Sequence, residues 1–142
     1  MNHDISDLPC ILFVPGDKYH LFDKAIASSA PAVVIDLEDA VSPENKNETR
    51  LYVKKWFNEF KPKQKKVGVR INHPSTRFGL QDMAMFFDDE PPPDFIVLPK
   101  VEHPIEVQLI HSLSGGIPLI CVIESALGLI RAHDIATSAA SV

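Results

Sequence analysis

The sequence has no long hydrophobic run and very few cysteines. No apolar stretch approaches the ~20 residues of a membrane-spanning helix, and the first nine residues, MNHDISDLP, have the pattern of neither a secretory leader nor a transit peptide. The two cysteines, Cys10 and Cys121, lie in separate apolar runs without metal-ligand spacing. We therefore expect two buried free thiols in a reducing compartment, and a cytoplasmic protein.

An excess of basic charge is also missing. The chain carries 14 Lys and Arg residues against 19 Asp and Glu residues, and this net charge of −5 argues against a nucleic-acid surface. One basic run, Lys61–Lys66, lies between a helical pattern and a strand pattern, and we predict a solvated loop there. The first predicted turn, VPGDK at 14–18, matches neither G-x-G-x-x-G nor the P-loop pattern. Its sequence weakens the prediction of a nucleotide site without removing it.

The chain does contain a regular alternation of apolar runs and helical patterns. The apolar runs are Cys10–Val14, Ala32–Leu37, Val67–Ile71, Phe95–Leu98 and Pro118–Ile123. The helical patterns are Tyr19–Ser29, Pro43–Phe60 with Ser42 as its N-cap, Phe78–Phe87, Pro104–Leu113 and Ser125–Ala136. This order predicts one α/β domain over residues 1–142, with parallel strands that are buried on both faces. A doubly wound open sheet and part of a (β/α)8 barrel both fit.

Polar residues cluster where the predicted strands end, which is where both architectures place their functional sites. The stretch VVIDLEDAV at 33–41 ends in three carboxylates within four residues, and such a group repels itself unless cations lie near. Side chains alternate between the faces of a strand, so residues two apart share a face. The polar residues predicted to converge are Asp36, Glu38, Asp39, Arg70, Asn72, Lys100 and Glu124.

The motifs that carry these residues resemble a known family. LFVPGD (12–17), DLEDAV (36–41), VRIN (69–72), LPKVE (98–102) and IESALG (123–128) occur in this order. Together they resemble the citrate lyase beta subunit-like group of the HpcH/HpaI aldolase superfamily. The resemblance implies a TIM (β/α)8 barrel and Mg²⁺-dependent cleavage or formation of a carbon–carbon bond. The implied substrates are hydroxy-acyl thioesters, such as citryl, malyl or citramalyl thioesters of CoA or acyl carrier protein.

The resemblance also implies a role for each strand-end residue. It implies that Arg70, with Asn72 beside it, binds the carboxylate of the oxo-acid half, and that Glu124 binds Mg²⁺. Catalytic or supporting roles, with no residue chosen as the base, are implied for Asp36, Glu38, Asp39 and Lys100. A Schiff base on Lys100 is the sharper alternative, which the metal-dependent family does not use at this position.

The sequence departs from the family pattern in two ways. Pro9-Cys10 stands where Arg-Ser is common, and 18–21 lacks the usual Ser-Pro-Arg-Lys, which leaves Lys18 as the candidate substitute in thioester binding. A barrel needs about 200 residues or more, so we expect an incomplete barrel of roughly strands one to five, without the second acidic metal ligand. Two functions then stay open: a lyase that works as a homo-oligomer or with a partner chain completing the barrel, and an inactive fragment or partner subunit that keeps only the oxo-acid-binding arginine. A third, an open-sheet binding module, is less well supported.

Overall fold

The computed structural model describes residues 5–60, 65–87 and 91–138, in which strands and helices alternate. The strands are β1 (Ile11–Pro15), β2 (Ala32–Asp36), β3 (Lys66–Arg70), β4 (Ile96–Leu98) and β5 (Leu119–Cys121). The helices are α1 (Phe22–Ile26), α2 (Lys46–Phe60), α3 (Arg77–Phe86), α4 (Pro104–Leu113), α5 (Ala126–Ile130) and α6 (Ala132–Ala136), with short 3-10 turns at Ile5–Asp7 and Tyr19–Leu21. None of the helices in these ranges has the length and apolar character to cross a membrane.

The five strands form one parallel sheet in the order β1-β2-β3-β4-β5. A doubly wound sheet reverses its strand order at a switch point, whereas a (β/α) barrel adds each strand beside the previous one. The sequential order therefore confirms the barrel-type fold and excludes the doubly wound alternative. It also places Asp36 beside Arg70 in the register of β2 and β3.

The sheet has a helix-covered outer face and a smaller inner face. Most of the buried apolar side chains form a core between the outer face and the helices. On the inner face, Val34, Phe95 and Val97 are buried, and Leu8 packs against them. The Phe95 ring occupies the space beside Gly68, because a Cβ on Gly68 would lie 2.4 Å from the ring. Glycine is thus required at this position of β3. Apolar side chains fill the inner face of the sheet next to the polar strand ends.

The first strand is less buried than the sequence predicted. In the described part of the chain, β1 and β5 each pair with one neighbour only. Leu12 and Phe13 in β1 are 37% and 45% exposed. Cys10, directly before β1, is exposed, while Cys121 in β5 is half-buried, and both are free thiols. The predictions of burial on both faces of every strand and of a buried Cys10 are therefore wrong, because β1 lies at an edge.

Several predicted boundaries also differ from the structure. The helix predicted from Pro43 begins at Lys46, because residues 43–45 form a turn in which the N–H of Asn45 donates to Ser42 O at 3.0 Å. The last predicted helix is divided into α5 and α6 at Arg131. Positions 61–64 of the basic run lie outside the described residues. Lys65, in the same run, is held to the protein by a hydrogen bond, because its ammonium donates to Ser28 O at 2.7 Å.

Candidate functional site

The site is built around an ion pair between the last residues of β2 and β3. Arg70 Nε donates to Asp36 Oδ1 at 2.7 Å, and Arg70 Nη2 donates to Asp36 Oδ2 at 2.5 Å. The hydrogen bond to Asp36 raises the pKa of Arg70. Asp36 also accepts the backbone N–H groups of Glu38 at 2.8 Å and Ala40 at 3.2 Å. Asp36 therefore orients the guanidinium and shapes the loop that follows β2.

Glu38 lies between two cations. Its Oε1 accepts a hydrogen bond from Lys100 Nζ, and its Oε2 lies 3.4 Å from Arg70 Nη1. The Glu38 side chain is only 8% exposed, and Oε2 has no hydrogen-bond partner among the described residues. A buried carboxylate oxygen without a donor is costly. Glu38 therefore presents an unsatisfied acceptor beside Arg70.

Lys100 joins Glu38 to the more exposed Asp39. Lys100 Nζ lies 3.3 Å from Asp39 Oδ1. The hydrogen bond to Glu38 raises the pKa of Lys100, with a further contribution from Asp39. Burial raises the pKa of Asp39, but its hydrogen bond and charge interaction with Lys100 outweigh burial and lower that pKa overall. Lys100 is thus held as an ammonium ion, which argues against the Schiff-base alternative because a protonated amine is not a nucleophile.

Glu124 reaches the same group from the end of β5. It is an exposed residue whose Oε1 accepts the backbone N–H of Lys100 at 3.0 Å. Lys100 adopts a left-handed backbone conformation with φ of 54°. The structure therefore brings together six of the seven side chains that the sequence predicted to converge, namely Asp36, Glu38, Asp39, Arg70, Lys100 and Glu124.

Asn72 lies next to this group, but its amide is directed into the protein. It is buried, and Nδ2 donates to Leu37 O at 2.9 Å and to Asp82 Oδ2 at 2.7 Å. Asp82 is completely buried and also accepts the N–H of Asn72 at 2.7 Å and Arg50 Nε at 2.6 Å. Burial raises the pKa of Asp82, against the effect of these hydrogen bonds. Asn72 thus ties the loops after β2 and β3 together, and its role in substrate binding stays a prediction.

The residues that support the acidic loop, which follows β2 and carries Glu38 and Asp39, were not predicted from the sequence. Lys46 Nζ donates to Leu37 O at 2.8 Å and to Glu38 O at 2.6 Å, and burial lowers the pKa of Lys46. One available signal was a cation in the first turn of a helix, where the helix dipole disfavours positive charge. The Arg50–Asp82 pair has no such signal, because its residues are 32 positions apart in the chain.

The donor set fits magnesium only in part. The described residues contain no group of three or more His, Cys, Asp or Glu side chains that could hold a metal ion. The three carboxylates at and after the end of β2 already have Arg70 or Lys100 as partners. Glu124 accepts a backbone N–H rather than a side-chain cation. Magnesium often binds through one or two carboxylates together with substrate oxygens and water. Glu124 therefore fits a weak site that the substrate would have to complete.

Comparison with known proteins gives the family that the sequence motifs resemble. Residues 10–142 match the family described as HpcH/HpaI aldolase/citrate lyase. A (3S)-malyl-CoA thioesterase of Cereibacter sphaeroides is 32% identical over 136 residues, which cover 96% of this chain and 47% of the relative. An L-malyl-CoA/beta-methylmalyl-CoA lyase of the same species is 33% identical, with 91% and 44% covered. The chain thus spans about half the length of the curated relatives it matches.

Solved structures extend the likeness to three dimensions. A citrate lyase beta subunit from Mycobacterium tuberculosis, complexed with oxaloacetate and magnesium, has a TM-score of 0.75 and 28% identity, covering 90% of this chain and 52% of that chain. A CitE protein from the same organism, complexed with magnesium, acetoacetate and coenzyme A, has a TM-score of 0.76 and 28% identity, covering 91% and 44%. The family match, the relatives and the sequential parallel sheet agree: the chain belongs to the HpcH/HpaI aldolase/citrate lyase family.

Proposed function

We propose that this chain contributes one half of a Mg²⁺-dependent carbon–carbon lyase. The proposed substrates are hydroxy-acyl thioesters with a second carboxylate, such as malyl, citramalyl or citryl thioesters of CoA or acyl carrier protein. The observation that carries the proposal is the convergence of Arg70, Glu38, Lys100 and Glu124 at the carboxyl edge of the sheet. Cations and carboxylates held together there suit a substrate that carries negative charge and loses a proton as its carbon–carbon bond breaks.

Arg70 is the proposed site for the substrate carboxylate. Two of its nitrogens are held by Asp36, which fixes the plane of the guanidinium. Its third nitrogen, Nη1, lies 3.4 Å from Glu38 Oε2, a contact longer than an ordinary hydrogen bond. A carboxylate arriving at Nη1 would make a shorter, charge-assisted bond than the one it replaces. The pre-oriented arginine then binds the oxo-acid half without rearranging Asp36.

Glu38 is the proposed acceptor for the substrate hydroxyl. Its Oε2 lacks a donor among the described residues, while its Oε1 accepts a hydrogen bond from the Lys100 ammonium. A hydroxyl group between Arg70 and Glu38 would satisfy this oxygen and could pass its proton there. Because Lys100 and Arg70 flank Glu38, the site tolerates the negative charge of the carboxylate before that transfer.

Glu124 is the proposed magnesium ligand from this chain. Its Oε1 is oriented by the Lys100 N–H. Bound there, magnesium would supply Lewis-acid stabilisation of negative charge at the reacting oxygen. The rest of the coordination sphere would come from the substrate, from water and from the half of the barrel that the relatives possess beyond the matched region.

A second candidate function is binding without catalysis. The described residues offer no three-ligand metal cluster, while Arg70 and its neighbours are already assembled. On this proposal the chain binds an oxo-acid through Arg70 and acts by association with another chain. It differs from the first proposal in predicting oxo-acid affinity with no cleavage of any thioester.

The experiment that separates the two proposals uses the chain alone and together with a chain that supplies the second half of the barrel. Release of glyoxylate or pyruvate from malyl-CoA and citramalyl-CoA is followed with and without Mg²⁺. Oxaloacetate binding is measured in parallel by calorimetry. Mg²⁺-dependent release in the reconstituted sample supports the lyase, and binding without release supports the second candidate. If the reconstituted sample shows no binding and no release, both proposals fail.

A further inference from the structure

Lys100 is the only residue other than glycine with a positive φ in the described ranges 5–60, 65–87 and 91–138. Its φ of 54° lies in the left-handed region, where an L side chain crowds the backbone and glycine does not. Strain of this kind persists only where surrounding contacts impose it. A lysine at this position therefore needs stabilising contacts that a glycine would not need.

Those contacts come from both ends of the residue. The backbone N–H donates to Glu124 Oε1 at 3.0 Å, at the end of β5. The ammonium contacts Glu38 and Asp39, in the loop after β2. One residue thus links the acidic loop at one side of the site to Glu124 at the other.

The neighbouring backbone bonds place this turn but do not fix residue 100 itself. Val101 N–H donates to Val122 O at 3.2 Å, and Val122 N–H donates to Leu98 O at 2.9 Å. These bonds join β4 to β5 on either side of Lys100 without using its own N–H. The contacts of residue 100 itself are those of its N–H and its ammonium.

We propose that Lys100 is a positioning residue for Glu124. The ion pairs of its ammonium with Glu38 and Asp39 hold the backbone in the left-handed conformation, which aims the N–H at one oxygen of Glu124. The second oxygen of Glu124 is then left to face the cation and substrate. The last step rests on the proposed magnesium role of Glu124, whereas the link from ammonium to backbone to Glu124 does not.

Two substitutions separate this role from a simple charge effect. Lys100→Met removes the ammonium and keeps a side chain that disfavours positive φ. Lys100→Gly also removes the ammonium, but glycine adopts a φ near 54° without strain. If the ammonium acts through the backbone, glycine restores what methionine loses. If the ammonium acts by its charge alone, both variants lose it equally.

The first readout is amide hydrogen exchange at position 100, measured by NMR in the metal-free protein. We expect exchange in Lys100→Gly within about threefold of wild type, and exchange in Lys100→Met at least about tenfold faster. The Val101 amide is the internal control and should keep its protection in both variants. Lys100→Gln is the second neutral variant if Lys100→Met does not fold, and it should behave as methionine does. Retained protection in the neutral long-chain variants, or equal loss in Lys100→Gly, would overturn the proposal.

The second readout is Mg²⁺ affinity in the presence of oxaloacetate, measured by calorimetry. Lys100→Gly should bind within about threefold of wild type, and Lys100→Met about tenfold more weakly, since its Glu124 is no longer oriented. If the variants show the expected exchange pattern and wild type binds no Mg²⁺, the proposed metal role of Glu124 fails while the positioning of Glu124 stands. If wild type binds Mg²⁺ and glycine does not rescue methionine, the positioning role fails while the metal role stands.

Discussion

Arg70 and Asp36 form a two-pronged ion pair between neighbouring strands, with Nε 2.7 Å from Oδ1 and Nη2 2.5 Å from Oδ2. This pair is part of the reason why one buried strand can end in three carboxylates within four residues. Arg70 offsets the charge of Asp36, while Lys100 offsets the charges of Glu38 and Asp39. The acidic loop is therefore an ion-paired network whose cations come from β3 and from the residues after β4.

The first prediction concerns oxo-acid binding by Arg70. Arg70→Lys should weaken oxaloacetate binding by roughly 1–3 kcal/mol, because a lysine replaces a planar fork by a point charge and cannot hold Asp36 and a ligand together. Calorimetric titration in the reconstituted protein measures the change. The matched control is Arg77→Lys, the same substitution at an exposed position. Equal affinity in wild type and Arg70→Lys would remove Arg70 from the site.

The second prediction concerns the buried Arg50–Asp82 pair. Asp82→Ala should lower the free energy of unfolding by about 3–5 kcal/mol. The substitution leaves the Arg50 charge buried without its partner, and it removes the two hydrogen bonds that Asp82 accepts from Asn72. Urea denaturation gives this value. Asp23→Ala, at an exposed position, is the control and should change stability by no more than about 0.5 kcal/mol. A loss below about 1 kcal/mol in Asp82→Ala would show that the pair adds little.

The alternation of strands and helices and the polar strand ends could be predicted from the sequence because both follow from short-range patterns, whereas the choice of the barrel over the doubly wound sheet came from the family resemblance. Apolar runs of strand length repeat with helical patterns between them, and residues two apart must share a face. Parallel strands then bring Asp36 and Arg70 to one edge of the sheet, as the register shows. The ion pairs of Asp36 with Arg70 and of Glu38 and Asp39 with Lys100 join residues that lie at these strand ends.

Long-range side-chain pairing could not be predicted in the same way. Asp82 lies on α3 and Arg50 on α2, and nothing in either helical pattern indicates that they meet. The exposure of Cys10 depends on which strand forms the sheet edge, a property of the whole fold. Lys100, whose backbone is left-handed, contacts residues 24 and 62 positions away. Local patterns carry no information on such contacts.

The third prediction concerns the two thiols. Burial, followed by the negative charge of Glu106, raises the pKa of Cys121 to about 11. Its thiolate, the reactive form, is therefore scarce at pH 8 and increases only as the pH approaches that value. Exposed Cys10 should react with a disulfide reagent in a fast phase and Cys121 in a slow one. Cys10→Ser should remove only the fast phase, and a fast phase that survives in Cys10→Ser would contradict the assignment.

The fourth prediction concerns the edge of the sheet at β1. In the described residues β1 has a partner on one side only, and Leu12 and Phe13 are exposed there. Unpaired strand edges with apolar side chains favour association, so the chain should self-associate or bind a chain that completes the sheet. Light scattering should show species larger than a monomer, and Leu12→Lys should reduce them. Leu51→Lys, at an exposed position on α2, is the control. A stable wild-type monomer that binds no hydrophobic dye would contradict this prediction.

The last prediction concerns magnesium and turnover. With Glu124 as the carboxylate offered to the ion, the chain alone should bind Mg²⁺ weakly, and more tightly when oxaloacetate supplies further oxygens. A misplacement of the reacting groups of about 1 Å can cost roughly a hundredfold in rate, so the chain alone should have little or no lyase activity. A chain that supplies the second half of the barrel should restore both Mg²⁺ binding and turnover.

Glu124→Gln should abolish the effect of oxaloacetate on Mg²⁺ affinity, because an amide oxygen carries no charge to hold the ion. Efficient Mg²⁺-dependent cleavage of malyl-CoA or citramalyl-CoA by the 142-residue chain alone would show that these residues suffice for catalysis.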